Sequence, residues 1–377
     1  MIRALPRFLL LYGVLFAGFG VASPFLPGLL QERGLSPSQI GVVLGSGTAI
    51  RLATGPAGCR LADRLGLRRG MLALLTAASS ALALGYLAPG GFALLLLVGV
   101  LHASVLAPMV PLADALALGA APGRFQYGWV RGAGSAAFIL GAAGAGQVVE
   151  AWGLGSIVWM NAGLLAAAAV AALAVPASPT PPAITREAGA LALLRLPGFV
   201  RLSLVAALIL GSHALHDGFE VLRWREAGIG PGVAGLLWSE AVLAEVVVFV
   251  VVGGPALRWL GPGGCMLLAA LAGMVRWGVT AVTAWLPAMA LVEPLHGLTF
   301  ALLHLACMRV LAAIVPPHLA ATAQAVYGTV AVGAASAALT FASGPLYGAF
   351  GPAAFWAMAA LCAAAVPIIG LSRDWRS

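Results

Sequence analysis

The sequence predicts an all-α membrane protein: twelve transmembrane helices in two six-helix bundles. Three observations predict it. Hydrophobic residues make up 62% of the 377 positions and charged residues only 8%, against about 25% charged in a soluble domain. Apolar runs long enough to cross a bilayer, roughly 20 residues each, recur along the whole chain. The two halves also repeat one another. Such a composition excludes a cytosolic enzyme, a disordered regulator and a secreted disulfide scaffold. Twelve helices of about 21 residues leave roughly ten residues for each connection and no room for a soluble domain.

The first apolar run, 8–30, follows Arg3 and Arg7. It is too long for the apolar region of a cleaved signal peptide, so it is read as the first membrane helix. The others are placed at 38–57, 70–88, 92–116, 128–150, 154–175, 199–222, 232–252, 263–285, 287–314, 319–342 and 351–371. Glycine and proline punctuate the joints, as at Pro89 to Gly91 and Gly261 to Gly263. Pro24, Pro27, Pro108 and Pro111 are placed to kink the first and fourth helices. Trp152, Trp259, Trp285 and Trp375 read as interfacial belt residues. Cys59, Cys265, Cys307 and Cys362 have no paired spacing and read as ordinary thiols.

The net charge is +8 and every basic residue is arginine. These arginines sit in short loops, so the charge reports topology and predicts no nucleic-acid partner. With the N-terminus inside, fourteen of the twenty fall in inner loops and tails, counting Arg131 and Arg201 at the inner starts of helices. Arg33, Arg223 and Arg225 fall outside, and Arg51, Arg276 and Arg309 within helices. That asymmetry follows the positive-inside rule and places both termini in the cytoplasm, at a bacterial inner membrane. The proline-rich stretch 177–197, with Pro179, Pro181 and Pro182, reads as a cytoplasmic linker between bundles at 1–176 and 198–377. Gly34, Pro37 and Gly41 recur as Gly228, Pro231 and Gly235 at an offset of 194. Leu61 to Gly66 recurs as Ala256 to Gly261 at 195, and Tyr127-Gly128 as Tyr327-Gly328 at 200. Three matches in order at nearly one offset mark a parallel duplication.

The stretch from Cys59 to Arg69, with Asp63, Arg64, Gly66 and Arg68, resembles the loop signature of the major facilitator superfamily. Cys59 stands where glycine is usual, and Leu67 displaces the basic pair. In that family the loop latches the two halves on the inner side as a cytoplasmic gate. Arg131, Gly134 and Ser135, then Glu245, Arg276 and Trp277, then His296 to Phe300, His304, Gln324 and Tyr327 resemble one branch of it. That branch is the 3-phenylpropionate permease-like group, relatives of the lactose permease and of nucleoside:proton symporters. The resemblance implies a secondary transporter working by alternating access, with no enzymatic activity and no cofactor. It also implies that Asp114 with Arg131, and Arg276 with His296, bind substrate. The lactose permease carries its proton on a glutamate one turn after the histidine; here Thr299 holds that place. Gly344-Pro345 lies in helix eleven, and helix five has no Gly-Pro pair of the drug-antiporter type.

Charges placed inside the bilayer make the same point without the family. The spans hold six acids (Asp114, Asp217, Glu220, Glu240, Glu245 and Glu293) and four arginines (Arg51, Arg131, Arg276 and Arg309). Each costs about 3 kcal/mol if unpaired, so they must pair, hydrate or neutralise. Two acids are left over. Glu245 and Glu293 are the preferred proton carriers, with His296 beside Glu293 on one helical face. Arg131 and Arg276 suit a carboxylate bidentately, with Asp114 paired to Arg131. Trp129, Trp238 and Trp277 are placed to face an aromatic ring. Helix seven carries His213, His216, Asp217 and Glu220 at i, i+3, i+4 and i+7. Those residue types also ligate zinc, but a hydrated cavity wall or outer gate is the preferred reading, with no resident metal. The expected function is proton symport of an aromatic carboxylate such as 3-phenylpropionate by a monomer. A sugar or nucleoside cargo is the alternative, and an intramembrane metalloenzyme the more distant one.

Overall fold

The computed structural model describes residues 4–177, 190–316, 319–372 and 375. Arg3, Arg186, Arg373, Arg376 and most of the predicted linker lie outside the described residues. Within them every regular element is helical.

Pro24 and Pro27 split the first predicted helix into α1 (Ala4–Ala22) and α2 (Leu26–Glu32). Pro27 stands in the first turn of α2, where its missing amide is no loss. The next helix, α3 (Pro37–Leu65), opens on a capping box: Ser36 accepts from the Gln39 amide, and the Gln39 side chain accepts from the Ser36 amide. It stops at Gly66, whose φ is +64°. There the Leu67 amide reaches the Ala62 carbonyl at 3.0 Å and the Gly66 amide reaches that of Asp63 at 3.1 Å, a Schellman turn. Arg68 Nε on Asp63 Oδ1, at 2.5 Å, joins this turn to α4 (Arg68–Leu84). A side chain at Gly66 meets no neighbour, so the cost of Gly66→Ala is the left-handed backbone, about 1–2 kcal/mol. The purified variant is expected to melt earlier than wild type. Gly70→Ala, in ordinary helical geometry with equally open space, is expected to melt no earlier.

The chain continues through α5 (Phe92–Leu106), α6 (Met109–Ala120), α7 (Tyr127–Trp152) and α8 (Ser156–Ala174), with the break at Pro108 parting α5 from α6. The first helix, α1, packs on α7 and α8. A Cβ on Gly20 would stand 2.2 Å from the Phe138 carbonyl oxygen, and one on Gly141 2.5 Å from that of Ala17. Glycine at both crossings is what lets the backbones approach. Phe8, Leu11, Leu15, Leu112, Leu116, Val130 and Leu165 fill the core beneath.

The second half contains α9 (Ala190–Leu194), α10 (Pro197–Gly211), α11 (Ala214–Glu226), α12 (Pro231–Val247) and α13 (Gly253–Val282). It ends with α14 (Leu286–Val292), α15 (Leu303–Ile314), α16 (Ala320–Val326), α17 (Ala335–Phe350) and α18 (Phe355–Leu371). In this half α13 packs on α18 and α15, and α11 on α17. The chain divides into two compact units, Met1–Ile184 with Gly228–Ser239, and Thr185–Ala227 with Glu240–Ser377.

Three expectations are corrected. The predicted loop before residue 263 shrinks to one joint at Gly261, φ +66°, so Arg258 is helical. Arg223 is not in an outer loop: α11 runs one turn further, to Glu226, and buries it. Trp375 is buried against Gly263, unlike the exposed Trp152, Trp259 and Trp285.

The duplication is written into the backbone. Gly34 and Gly228 both have φ +85°, Gly66 and Gly261 have +64° and +66°, and Gly153 and Gly351 are positive as well. Equivalent joints thus use a glycine of positive φ, although ψ differs, 20° at Gly66 against 171° at Gly261. Nine segments among the described residues are long and apolar enough to cross a membrane, which makes this a multi-pass membrane protein. Two of them, of 52 and 50 residues, contain the Gly261 and Gly351 breaks.

Candidate functional site

Each unit carries a polar cluster among apolar side chains, partly exposed in unit one and largely buried in unit two. In unit one, two helical i, i+4 pairs supply it. Tyr12 and Phe16 share a face of α1, their rings stacked at 5.6 Å. Tyr127 and Arg131 share a face of α7. Both phenols donate to Oδ1 of Asp114 on α6, Tyr127 at 2.8 Å and Tyr12 at a shorter distance. Hydrogen bonds to a carboxylate are among the strong ones, so Asp114 is satisfied without a cation. The expected Asp114–Arg131 pair is therefore corrected: no ion pair joins them among the described residues. The Arg131 guanidinium instead lies over the Phe16 ring, 4.7 Å from its centroid. It is a cation with an aromatic neighbour and no acid partner among the described residues.

Trp129 precedes Arg131 by two residues, which on a helix turns it to a different side, and it is 68% exposed. Trp238 is buried within Gly228–Ser239 of unit one. Arg51, at the middle of α3, lies within electrostatic reach of Tyr86 and His102, whose rings meet edge-on at 5.7 Å.

Unit two is built around Arg276 of α13, which is fully buried. Its donors reach Glu293 Oε2 at 2.7 Å, His296 Nδ1 at 2.7 Å and His216 Nε2 at 3.0 Å. The guanidinium also lies 4.5 Å from the Trp277 ring centroid, and the Trp277 indole donates to Ser212 at 2.9 Å. Trp277 is thus packed behind Arg276 as a support. Arginine only donates, so the nitrogen it meets on His296 accepts. The other, Nε2, then donates to Glu245 Oε1, 2.7 Å away. A continuous chain results: Glu293, Arg276, His296, Glu245.

The backbone bends where this chain is anchored. Pro294 cannot donate an amide and clashes with the preceding turn. The helix accordingly passes from α14 through a 3₁₀ turn at Glu293–Leu295 into a π-helical stretch at Gly297–Leu302 before α15. π-Helical turns are frequent at functional sites. Gly297 permits the crossing with α12, because a Cβ there would stand 2.7 Å from the Ala244 carbonyl oxygen. Thr299, where the family resemblance expects an acid, is fully buried and bonded to His213 Nε2 at 2.9 Å.

The helix-seven quartet does not act as one ligand set. His213 turns to Thr299, and His216 to Arg276 and Asp217. The Asp217 side chain is 64% exposed, and Glu220 is fully buried. Among the described residues no group of three or more such side chains is placed to hold a metal ion. All four cysteines are free thiols. Sequence reasoning missed Tyr12 as a partner of Asp114; the signal was a tyrosine four residues before Phe16 in an aliphatic helix.

Helices that cross a membrane many times and carry clusters of charged side chains define a polytopic membrane protein with polar sites, and its relatives make it a transporter. The chain belongs to the MFS_1-like family, whose model matches residues 5–358. It is 34% identical to the "Probable 3-phenylpropionic acid transporter" of Escherichia coli (strain K12), over 92% of each chain. It is 24% identical to the "Uncharacterized transporter YwbF" of Bacillus subtilis (strain 168), over 88% of this chain and 84% of that one. Among solved structures, the nucleoside transporter NupG (D323A mutant) shares the fold with a TM-score of 0.86 at 15% identity, over 98% of this chain and 99% of that one. A bacterial homologue of the human lysosomal transporter Spinster gives 0.73 at 16% identity, over 99% and 97%.

Proposed function

We propose that this transporter moves a small aromatic carboxylate, of the 3-phenylpropionate kind, across a bacterial inner membrane in symport with protons, by alternating access. The observation that carries the reading is Arg131. A guanidinium with no acid partner among the described residues, beside stacked aromatic rings, matches a ligand with a carboxylate at one end and a phenyl ring at the other. The name of the E. coli relative supports the same substrate class. Proton coupling is supported by the Glu245–His296–Arg276–Glu293 chain, in which a hydrogen-bonded path links two acids. Twelve crossings with both termini inside follow if the 52- and 50-residue segments each cross twice, at Gly261 and Gly351, and α3 crosses with Arg51 at its middle. The Asp63, Arg64, Gly66 and Arg68 turn then serves as the cytoplasmic gate.

The test is the purified protein in vesicles, with external pH followed as 3-phenylpropionate, lactose and a nucleoside are added in turn. Alkalinisation with 3-phenylpropionate alone is the expected result. Alkalinisation with lactose or the nucleoside would reassign the cargo. Entry of labelled 3-phenylpropionate without a pH change would remove the proton from the reading. Glu245→Gln, which deletes the acid partner of His296, is expected to abolish the pH change.

A further inference from the structure

Glu220 is a buried acid that neither the substrate reading nor the Arg276 chain uses. It sits on α11, fully buried, and among the described residues neither carboxyl oxygen receives a hydrogen bond. Its electrostatic neighbours come from every side: His216 and Arg223 on its own helix, Arg276 from α13, Glu293 from the 3₁₀ turn, and Tyr347 from α17. Arg223 is also buried, one turn along the same helix, yet no ion pair joins it to Glu220 among the described residues. Tyr347 donates to Glu226 instead. An ionised carboxylate buried without a donor is strongly disfavoured, and the ionised Glu293 beside it disfavours a second negative charge. A protonated acid satisfies both constraints.

We infer that Glu220 holds the transported proton, beside the ion pair of Arg276 and Glu293, so that its charge state and that pair are linked. Among the described residues Glu293 Oε1 has no hydrogen-bond partner, while its Oε2 is held by Arg276. When the proton leaves, the O–H bond at Glu220 breaks, the proton passes to water and the negative charge stays on Glu220, within electrostatic reach of Arg276 and Glu293. This account deepens the proton-symport reading and rests on it.

Infrared difference spectroscopy on the purified protein tests the proton directly, and vesicle transport tests its role. The carbonyl stretch of a protonated carboxylic acid is expected in wild type and absent in Glu220→Gln. It should shift in heavy water and fade as pH is raised. In vesicles Glu220→Gln is expected to lose accumulation of 3-phenylpropionate against a gradient while still exchanging labelled for unlabelled substrate, which also shows that the variant folds. Absence of the band in wild type, or its persistence unshifted at every pH, overturns the inference. So does a Glu220→Gln variant that accumulates substrate as wild type does. If wild-type vesicles move no carboxylate, the proposed function fails, and the infrared arm alone decides on Glu220.

Discussion

Replacing Arg276 with methionine is expected to be the most damaging single change in the protein. It leaves Glu293 buried with a charge and no arginine, which costs about 3–5 kcal/mol when one partner of a buried pair is removed. The same change frees the acceptor nitrogens of His216 and His296, each now met by an Arg276 donor. Purified Arg276→Met should melt well below wild type and transport nothing in vesicles. The double variant Arg276→Met with Glu293→Leu should recover most of the lost stability, because an apolar pair of similar volume can replace a buried ion pair without net cost. Transport should stay absent. A single variant that melts with wild type would mean that Arg276 and Glu293 are not paired in the folded protein.

Arg131→Gln is expected to do the opposite: harm transport and spare the fold. Arg131 has no acid to abandon among the described residues, so its loss strands no buried charge. A hydrogen bond to a charged group is worth about 1.5–3 kcal/mol, so KM for 3-phenylpropionate should rise roughly ten- to hundredfold with the melting temperature unchanged. Arg131→Lys keeps the charge but loses the fork that grips a carboxylate with two bonds, and should fall between. An unchanged KM in Arg131→Gln would remove this arginine from the substrate site.

Much of the fold was legible because a bilayer allows few solutions. Apolar runs of spanning length must be helices when no water can satisfy the backbone. The joints were legible because glycine and proline mark them: Pro24, Pro108, Gly66 and Gly261 all end or break helices as their chemistry predicts. The offsets between Gly34 and Gly228, and between Gly66 and Gly261, announced a duplication in which glycines of positive φ recur at the joints. The residues of the polar clusters were legible too, because a charge within an apolar run stands out.

Their partners were not legible. Sequence alone named Asp114, Arg131, Arg276, Glu293, His296 and Glu245 from residue type and helical phase, and determined that such charges lie within membrane helices. It could not tell that Asp114 turns to two tyrosines rather than to Arg131, since Tyr12 lies 102 positions away on another helix. Nor could it tell that Arg276 turns to Glu293, that Glu220 has no donor, or that Arg223 lies inside. Helical periodicity says which side chains share a face. Only the packing of α1 against α7 and of α13 beside α11 decides which faces meet, and a buried charge takes its character from the group it meets.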